Sequence, residues 1–309
     1  MVLGNKSEKM QAQPILNSLH TYFKHVMSTD EPVCMSAYVF DFLEQPSAFS
    51  AQTLQQQAGF VAKEINYLMG LTIHKDAQFS IISHSVGAYV VYSALADDVF
   101  PVKNLRNIYN LAAPLSDVPV KFYGNLETLM RKMWQDIDYK RIHHVANINF
   151  SGGVRDLNVP IEHANFNIAR DACSKQNHTH FFAYETSTVM MKNVNQAIDH
   201  NSQLYSRAFL NQLIPVIGQL TTMTKHNAGS RIDKAERLLS IDVESRVYLT
   251  SELSPNAADF PSAIKKEPQA AMQVKETLSL PMFNPQTDDL LDTQDAYLVK
   301  VTGPLPNLF

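Results

Sequence analysis

This 309-residue sequence has only two cysteines, and it lacks basic clusters and long apolar runs. Its two cysteines, Cys34 and Cys173, cannot build a disulfide framework and do not have the spacing of a metal site. No Lys/Arg-rich run occurs and the formal net charge is −4, which argues against a nucleic-acid partner recognised through its phosphates. No apolar run reaches the roughly 18 residues of a membrane-spanning helix. No apolar signal core follows Met1 either, so the sequence by itself predicts a soluble chain.

The sequence does contain enough apolar residues for a large core, since 45% are hydrophobic and 18% are charged. Strand-like and helix-like segments alternate over its first two-thirds. The expected strands are 35–42, 79–82, 105–111 and 145–150, and the expected helices are 52–69, 86–96, 122–134 and 198–220, the last interrupted at Pro215. This alternation predicts an α/β fold, with a mainly parallel central sheet and helices on both faces.

The character of the chain changes after about residue 220. Residues 224–230 are polar, and five prolines follow between residues 254 and 285. We therefore predict a large domain at 1–224 and a C-terminal extension at 225–309. Two segments of the extension, 246–250 and 296–302, are strand-like, so we expect it to be a small β-rich or partly extended appendage.

A candidate nucleophile lies where the apolar segment 79–82 runs into a Ser-His-Ser-Val-Gly turn, which an apolar helix follows. Ser85 is at the centre of the turn, with the small residues Ser83 and Gly87 two positions away on either side. This is the context of a nucleophile elbow, in which the serine sits on a tight, strained turn above the sheet. The turn would also aim the backbone N–H of Val86 at a developing oxyanion.

The acid of a serine triad should follow the nucleophile in the chain, and the base should come last. Asp156 comes soon after the strand-like segment 145–150 and a Gly-Gly pair, which would place its carboxylate at the carboxyl edge of the sheet. Asp117, which follows an earlier strand, is the rival acid. A turn aspartate that caps local backbone is the structural alternative for Asp156.

Four histidines compete for the role of base, namely His163, His178, His180 and His200. His200 is favoured because it starts the last expected helix, at a loop-to-helix junction from which an imidazole could reach Ser85. His84 is assigned to packing, because neighbouring residues on such a turn point apart. His178 and His180 could share a strand face, but no third ligand has suitable spacing, so we predict no metal.

The stretch from Tyr38 to Ala58 resembles a diagnostic block of the GPI inositol-deacylases. The matching residues are Asp41, Glu44, Ser47, Ala48, Phe49, Thr53, Leu54, Gln57 and Ala58. Three further segments agree: 4–11 resembles the family's PGNAGSYKQ loop, 151–159 its GGxxDxxV segment, and 199–213 its VDH…WCRQL segment. The resemblance covers residue 4 to about 213, and the tail from about 225 carries no recognised motif.

This resemblance implies an α/β-hydrolase fold and a lipase that removes the acyl chain from the inositol of GPI anchors. Ser85, Asp156 and His200 fall on the family's nucleophile, acid and base. Asn5 falls on its oxyanion loop, beside Val86. The implied partners are an acylated glycolipid and a membrane surface, the implied location is the endoplasmic reticulum membrane, and no cofactor is expected.

The sequence also departs from the family pattern. Ser83 replaces the first glycine of the elbow and Ala88 its last, and the strand before the Asn5 loop is short, which we expect to weaken that loop. The family carries membrane helices before and after the catalytic part, so we expect a shortened relative or a truncated sequence. Two alternatives stay open: another lipase or esterase of this fold, or an inactive lipid-binding relative.

Overall fold

A computed structural model describes two units of the chain, Met1–Ser240 and Ile241–Phe309. The residues that it describes are 1–5, 7–25, 35–48, 50–71, 77–118, 124–178, 180–223 and 226–240, with short strands between 249 and 302. Cys34 and Phe49 lie outside these residues, as do residues 122–123 of an expected helix and residues 246–248 of an expected strand.

The first unit is built on a parallel sheet in the order β1-β2-β3-β4. Its strands are β1 Phe79–His84, β2 Leu105–Leu111, β3 Ala146–Ser151 and β4 Ala183–Ser187. Two bridging residues extend the sheet beyond β1, because Val2 pairs in parallel with both Ser83 and Phe40. The carboxyl ends of all these segments therefore meet at one edge of the sheet, where the following loops are brought together.

Helices cover both faces of the sheet, as predicted. They are α1 Gln13–His25, α2 Ala51–Gly70, α3 Gly87–Leu95, α4 Gly124–Asp136, α5 Tyr139–Ile142, α6 Asn167–Lys175, α7 Arg207–Thr222 and α8 Ala228–Leu239. One buried apolar cluster packs the sheet against α2 to α6, and a second packs it against α1, α7 and α8. Short 3-10 turns occur at Lys9–Ala12, Val102–Asn104, Gly153–Arg155, Ile161–His163, Thr188–Met190 and Ser202–Leu204.

Helix α2 shows how local sequence fixes one of these elements. Its N-terminus is capped by Ser50, whose hydroxyl accepts a hydrogen bond from the backbone N–H of Thr53 at 3.2 Å. Leu54, Val61 and Ile65 are buried at helical spacing, so one face of the helix enters the core. The predicted helix over 52–69 is therefore confirmed, and β2 matches its predicted bounds, 105–111.

Two expected elements are wrong in part. The segment 35–42 is not a buried strand: among the described residues its one bridge is at Phe40, and Tyr38 is exposed. The N–H of Phe40 donates to the carbonyl of Met1 at 3.0 Å, next to the bridge with Val2. The helix expected over 198–220 begins at Arg207 and is not interrupted, because Pro215 lies inside α7.

The second unit contains the strands β5 Leu249–Thr250, β6 Gln273–Ser279, β7 Met282–Phe283, β8 Leu290–Leu291 and β9 Tyr297–Thr302. They form an antiparallel sheet in the order β5-β9-β6 and a β7-β8 pair. The first unit ends at Ser240, later than the boundary predicted after residue 224. The physical reason is α8, whose Arg231 donates a hydrogen bond to the carbonyl of His144, next to β3.

Candidate active site

Ser85 occupies a strained turn between β1 and α3. Its φ is +56°, in the left-handed region that costs an L-residue roughly 1–2 kcal/mol. Its backbone N–H donates to the carbonyl of Leu111 at 2.9 Å, which fixes the turn to the end of β2. The residue is half-buried and so keeps partial access to solvent. This strain and position are what a nucleophile elbow requires.

Two glycines let the N-terminal segment approach this turn closely. A Cβ at Gly4 would lie 2.8 Å from the Cβ and 3.3 Å from the Oγ of Ser85. A Cβ at Gly87 would lie 2.7 Å from the carbonyl oxygen of Val2. The backbone of residues 2–3 therefore requires a small residue at position 87.

Ser83, the departure from the usual elbow glycine, is fully buried and its hydroxyl donates to Oδ1 of Asn110 at 2.8 Å. Nδ2 of Asn110 in turn donates to the hydroxyl of Tyr92 at 3.0 Å, and that hydroxyl donates to Oδ1 of Asn147 at 3.1 Å. The extra hydroxyl group thus enters a buried polar network that β1, β2, β3 and α3 share. Because it has a partner, it carries little of the penalty of an unsatisfied buried group.

The loops after β3 and before α7 bring a carboxylate and an imidazole together. Nδ1 of His200 lies 3.1 Å from each carboxylate oxygen of Asp156. Oδ1 of Asp156 also accepts hydrogen bonds from the backbone N–H groups of Asn158 at 3.1 Å and Val159 at 2.9 Å. Asp156 is 3% exposed and His200 8%. A buried carboxylate with this set of donors can fix the tautomer and orientation of the imidazole.

His84 connects the His200–Asp156 pair to the turn of Ser85. Its Nε2 lies 3.0 Å from the backbone carbonyl of His200, and the two imidazole rings are 4.8 Å apart between centroids. Since His84 immediately precedes Ser85, this contact places the loop that carries His200 near the candidate nucleophile. Burial lowers the pKa of His84 to about 4, with the nearby His200 contributing in the same direction. His84 is therefore neutral at physiological pH.

The rival residues are arranged differently. Oδ2 of Asp117 lies 3.8 Å from Nε2 of His163, and this pair does not include His200. His180 is exposed and stacks on Phe182, with ring planes 7° apart. Across the part of the chain that the structure describes, no group of three His, Cys, Asp or Glu side chains could hold a metal ion. Of the four histidines considered, His200 is the one in contact with Asp156.

Asn5 lies in the same cluster of loops. Its side-chain Oδ1 accepts hydrogen bonds from the backbone N–H groups of Ser47 at 2.8 Å and Ala48 at 3.1 Å. The segment that contains Gly4 is thus fastened to the 41–48 loop on one side and contacts Ser85 on the other. Val86 is the first residue of the turn into α3, where backbone N–H groups are not used by helical hydrogen bonds.

Sequence reasoning missed the contacts made by the side chains of Ser83, His84 and Asn5. All three are polar residues beside the elbow or the Gly4 segment, and a polar residue in a buried strand should have a partner. That rule could have marked Ser83 and His84 as hydrogen-bonded. It could not have named their partners, which lie 27 and 116 residues away in the chain.

The parallel sheet, the strained serine between β1 and α3 and the loops gathered at the carboxyl edge define an α/β-hydrolase fold. The family model described as "PGAP1-like alpha/beta domain" matches residues 1–220. The chain belongs to this family.

Relatives named GPI inositol-deacylase are similar to the chain over most of its length. The protein from Neurospora crassa is 24% identical over 89% of this chain and 23% of its own length. The protein from Chaetomium globosum is 25% identical over 76% of this chain and 22% of its own. The chain thus spans less than a quarter of the length of these relatives.

Solved structures show only a low similarity. Lipase B of Aspergillus fumigatus superposes with a TM-score of 0.42 at 13% identity, covering 77% of this chain and 56% of that one. An esterase of Pyrococcus furiosus gives 0.41 at 13% identity, covering 72% and 79%. These values carry no weight in the assignment. Among the described residues, no helix has the length and apolar character needed to cross a bilayer.

Proposed function

We propose that this chain is the catalytic part of a serine carboxylic-ester hydrolase that removes the acyl chain from the inositol of GPI anchors. Ser85 is the nucleophile, His200 the general base and Asp156 the acid that orients it. The observation that carries the proposal is the buried His200–Asp156 pair, joined through His84 to the strained turn of Ser85. The names of the relatives support the choice of substrate.

The reaction begins when Nε2 of His200 takes the proton of the Ser85 hydroxyl as its oxygen attacks the ester carbonyl. The backbone N–H of Val86 and the Asn5 segment stabilise the oxyanion that forms. The imidazolium, paired with Asp156, then protonates the departing inositol oxygen, and the C–O bond of the ester breaks. Water, activated by His200, releases the fatty acid and regenerates Ser85.

We also propose that the carboxyl edge of the sheet faces a membrane surface, at the endoplasmic reticulum. Leu43, Val154 and Leu157 are 85%, 82% and 87% exposed, in loops that follow Phe40 and β3 at this edge. Val189 and Met190, after β4, are also exposed, and a Cβ at Gly153, the residue before Val154, would lie 3.0 Å from Cγ2 of Val189. We call these five residues the apolar rim. Exposed aliphatic side chains around a site mark an apolar partner, and an acyl lipid in its membrane fits them.

The proposal is tested with Ser85→Ala and the matched control Ser174→Ala, which changes an exposed serine on α6. Both proteins are assayed on an inositol-acylated GPI and on a simple glycerol ester, and both are treated with a fluorophosphonate probe. We expect Ser85→Ala to lose labelling and turnover while its thermal unfolding stays close to that of the control.

Turnover of the glycerol ester but not of the inositol-acylated GPI would instead indicate another lipase of this fold. Absence of labelling in the unmodified chain would indicate an inactive lipid-binding relative. Turnover by Ser85→Ala at the level of Ser174→Ala would refute the role of Ser85.

A further inference from the structure

His84 makes a contact that the proposed reaction does not use. Its ring is 2% exposed and its Nε2 lies 3.0 Å from the carbonyl oxygen of His200. A carbonyl oxygen can only accept a hydrogen bond, so Nε2 must carry a proton and donate it. A neutral ring with its proton on Nε2 has a bare nitrogen at Nδ1. That atom is buried and has no hydrogen-bond partner among the described residues.

The segment 198–204, which carries His200, is linked to the loop after β3 and to β1 by the described contacts of Ile198 and His200. The N–H of Ile198 donates to the carbonyl of Gly152 at 2.8 Å, and Nδ1 of His200 contacts Asp156 at 3.1 Å. Both of these bonds lead to the loop after β3. The third comes from His84 and leads to β1 and the turn of Ser85. The first two keep Asp156 and His200 together and reach Ser85 only through the neighbouring strands, whereas the third leads directly to the residue before Ser85.

We propose that His84 is a positioning residue, whose Nε2–H holds the backbone of His200 at the distance from Ser85 that proton transfer requires. The inference rests on the proposed function, because it assumes that His200 takes the proton of Ser85. Its neutral ring has a second consequence. A charged imidazole at 4.8 Å would oppose the imidazolium that His200 becomes during the reaction, and a neutral one does not.

The test compares His84→Gln with His84→Met. Glutamine can present an N–H near the position of Nε2, whereas methionine fills a similar volume without a donor. We expect His84→Met to lower kcat by about ten- to a hundredfold, since a misplacement of about 1 Å can cost that much. KM should change by less than about threefold, because the substrate contacts stay in place. His84→Gln should recover most of the loss.

A role in packing alone predicts a different pattern, in which the two variants lose activity equally and in proportion to their loss of thermal stability. That result would overturn the proposal, and so would an unchanged kcat in His84→Met. The rate of Ser85 labelling by a fluorophosphonate should follow kcat, because the same base activates the serine.

A measurement without turnover separates this inference from the proposed function. Long-range ¹⁵N–¹H spectra of the histidine rings in the unmodified protein should show His84 neutral and protonated on Nε2 at pH 7. A ring that is charged, or protonated on Nδ1, would refute the proposed hydrogen bond from His84 to the carbonyl of His200, whatever the activity. If His84 has the expected tautomer but the unmodified chain hydrolyses no ester, the proposed function fails and the contact itself stands.

Discussion

Replacing Gly4 by alanine should damage the site through a single methyl group. The new Cβ would lie 2.8 Å from Cβ of Ser85 and 3.1 Å from the carbonyl oxygen of His84. Carbon atoms in favourable contact are about 3.5–4.0 Å apart, so the two segments must separate by roughly 1 Å. Neither can move alone, because Val2 donates to Ile82 at 2.9 Å and accepts from His84 at 3.0 Å.

We therefore expect two separate losses in Gly4→Ala. Overpacking should cost about 1–3 kcal/mol of folding stability. Turnover should fall on the order of a hundredfold, because Ser85 and the Asn5 segment that flanks it are pushed apart by about the distance that such a loss requires. Thermal unfolding measures the first loss, and ester hydrolysis with fluorophosphonate labelling measures the second.

Gly59→Ala is the matched control, since it adds the same methyl group inside α2, where no side chain or distant backbone lies within 4 Å of the new Cβ. Alanine is favoured over glycine in a helix by about 1 kcal/mol, so this variant should be slightly more stable and fully active. If Gly4→Ala hydrolyses ester within about threefold of Gly59→Ala, the close packing of residue 4 on the elbow has no catalytic importance and the reasoning fails.

Two further changes test other parts of the site. In Asp156→Asn, the N–H groups of Asn158 and Val159 should hold the amide oxygen, so the NH₂ group turns towards Nδ1 of His200 and the ring proton stays on Nε2. We expect kcat to fall about 10³–10⁴-fold with little change in stability, and a fall of less than tenfold would contradict the role given to Asp156. In the apolar rim, Val154→Ser with Leu157→Ser should weaken co-sedimentation with phosphatidylcholine vesicles at least tenfold, since each buried aliphatic side chain contributes about 1.5–3 kcal/mol. The control Val99→Ser, which changes an exposed valine in the loop after α3, should not weaken vesicle binding. Equal losses of binding in the two proteins would refute the proposal that this edge faces a membrane.

Strands β1, β2 and β3 could be predicted from the sequence because each is a short segment rich in aliphatic and aromatic residues, whereas β4, with the sequence Ala-Tyr-Glu-Thr-Ser, was not among the expected strands. β2 and β3 are buried along almost their whole length, so local composition was sufficient to find them. The segment 35–42 has the same aromatic and aliphatic character, yet among the described residues its one bridge is at Phe40. Composition reports that a segment can form a strand, whereas the ladder depends on how much partner backbone lies beside it.

The candidate site was harder to predict from the sequence than the strands were. Asp117 and Asp156 both follow strands of the sheet. Asp117 lies next to His163, and Asp156 lies next to His200. Chain order and the Gly-Gly pair favoured Asp156, but only the fold decides which loops meet. The roles given to Ser85, Asp156 and His200 remain predictions, which the variants above are designed to test.

Residues 2–5 attach one side of the candidate site to the sheet and to a neighbouring loop. The expectation that a short first strand weakens the Asn5 loop stays a prediction. Val2 is fully buried and hydrogen-bonded to β1 in both directions. Gly4 then contacts Ser85, and Asn5 fastens the 41–48 loop through two backbone N–H groups. Val2, Gly4 and Asn5 therefore each have a separate contact that fixes the position of this segment. Loss of any one of them should therefore disturb the turn of Ser85 directly.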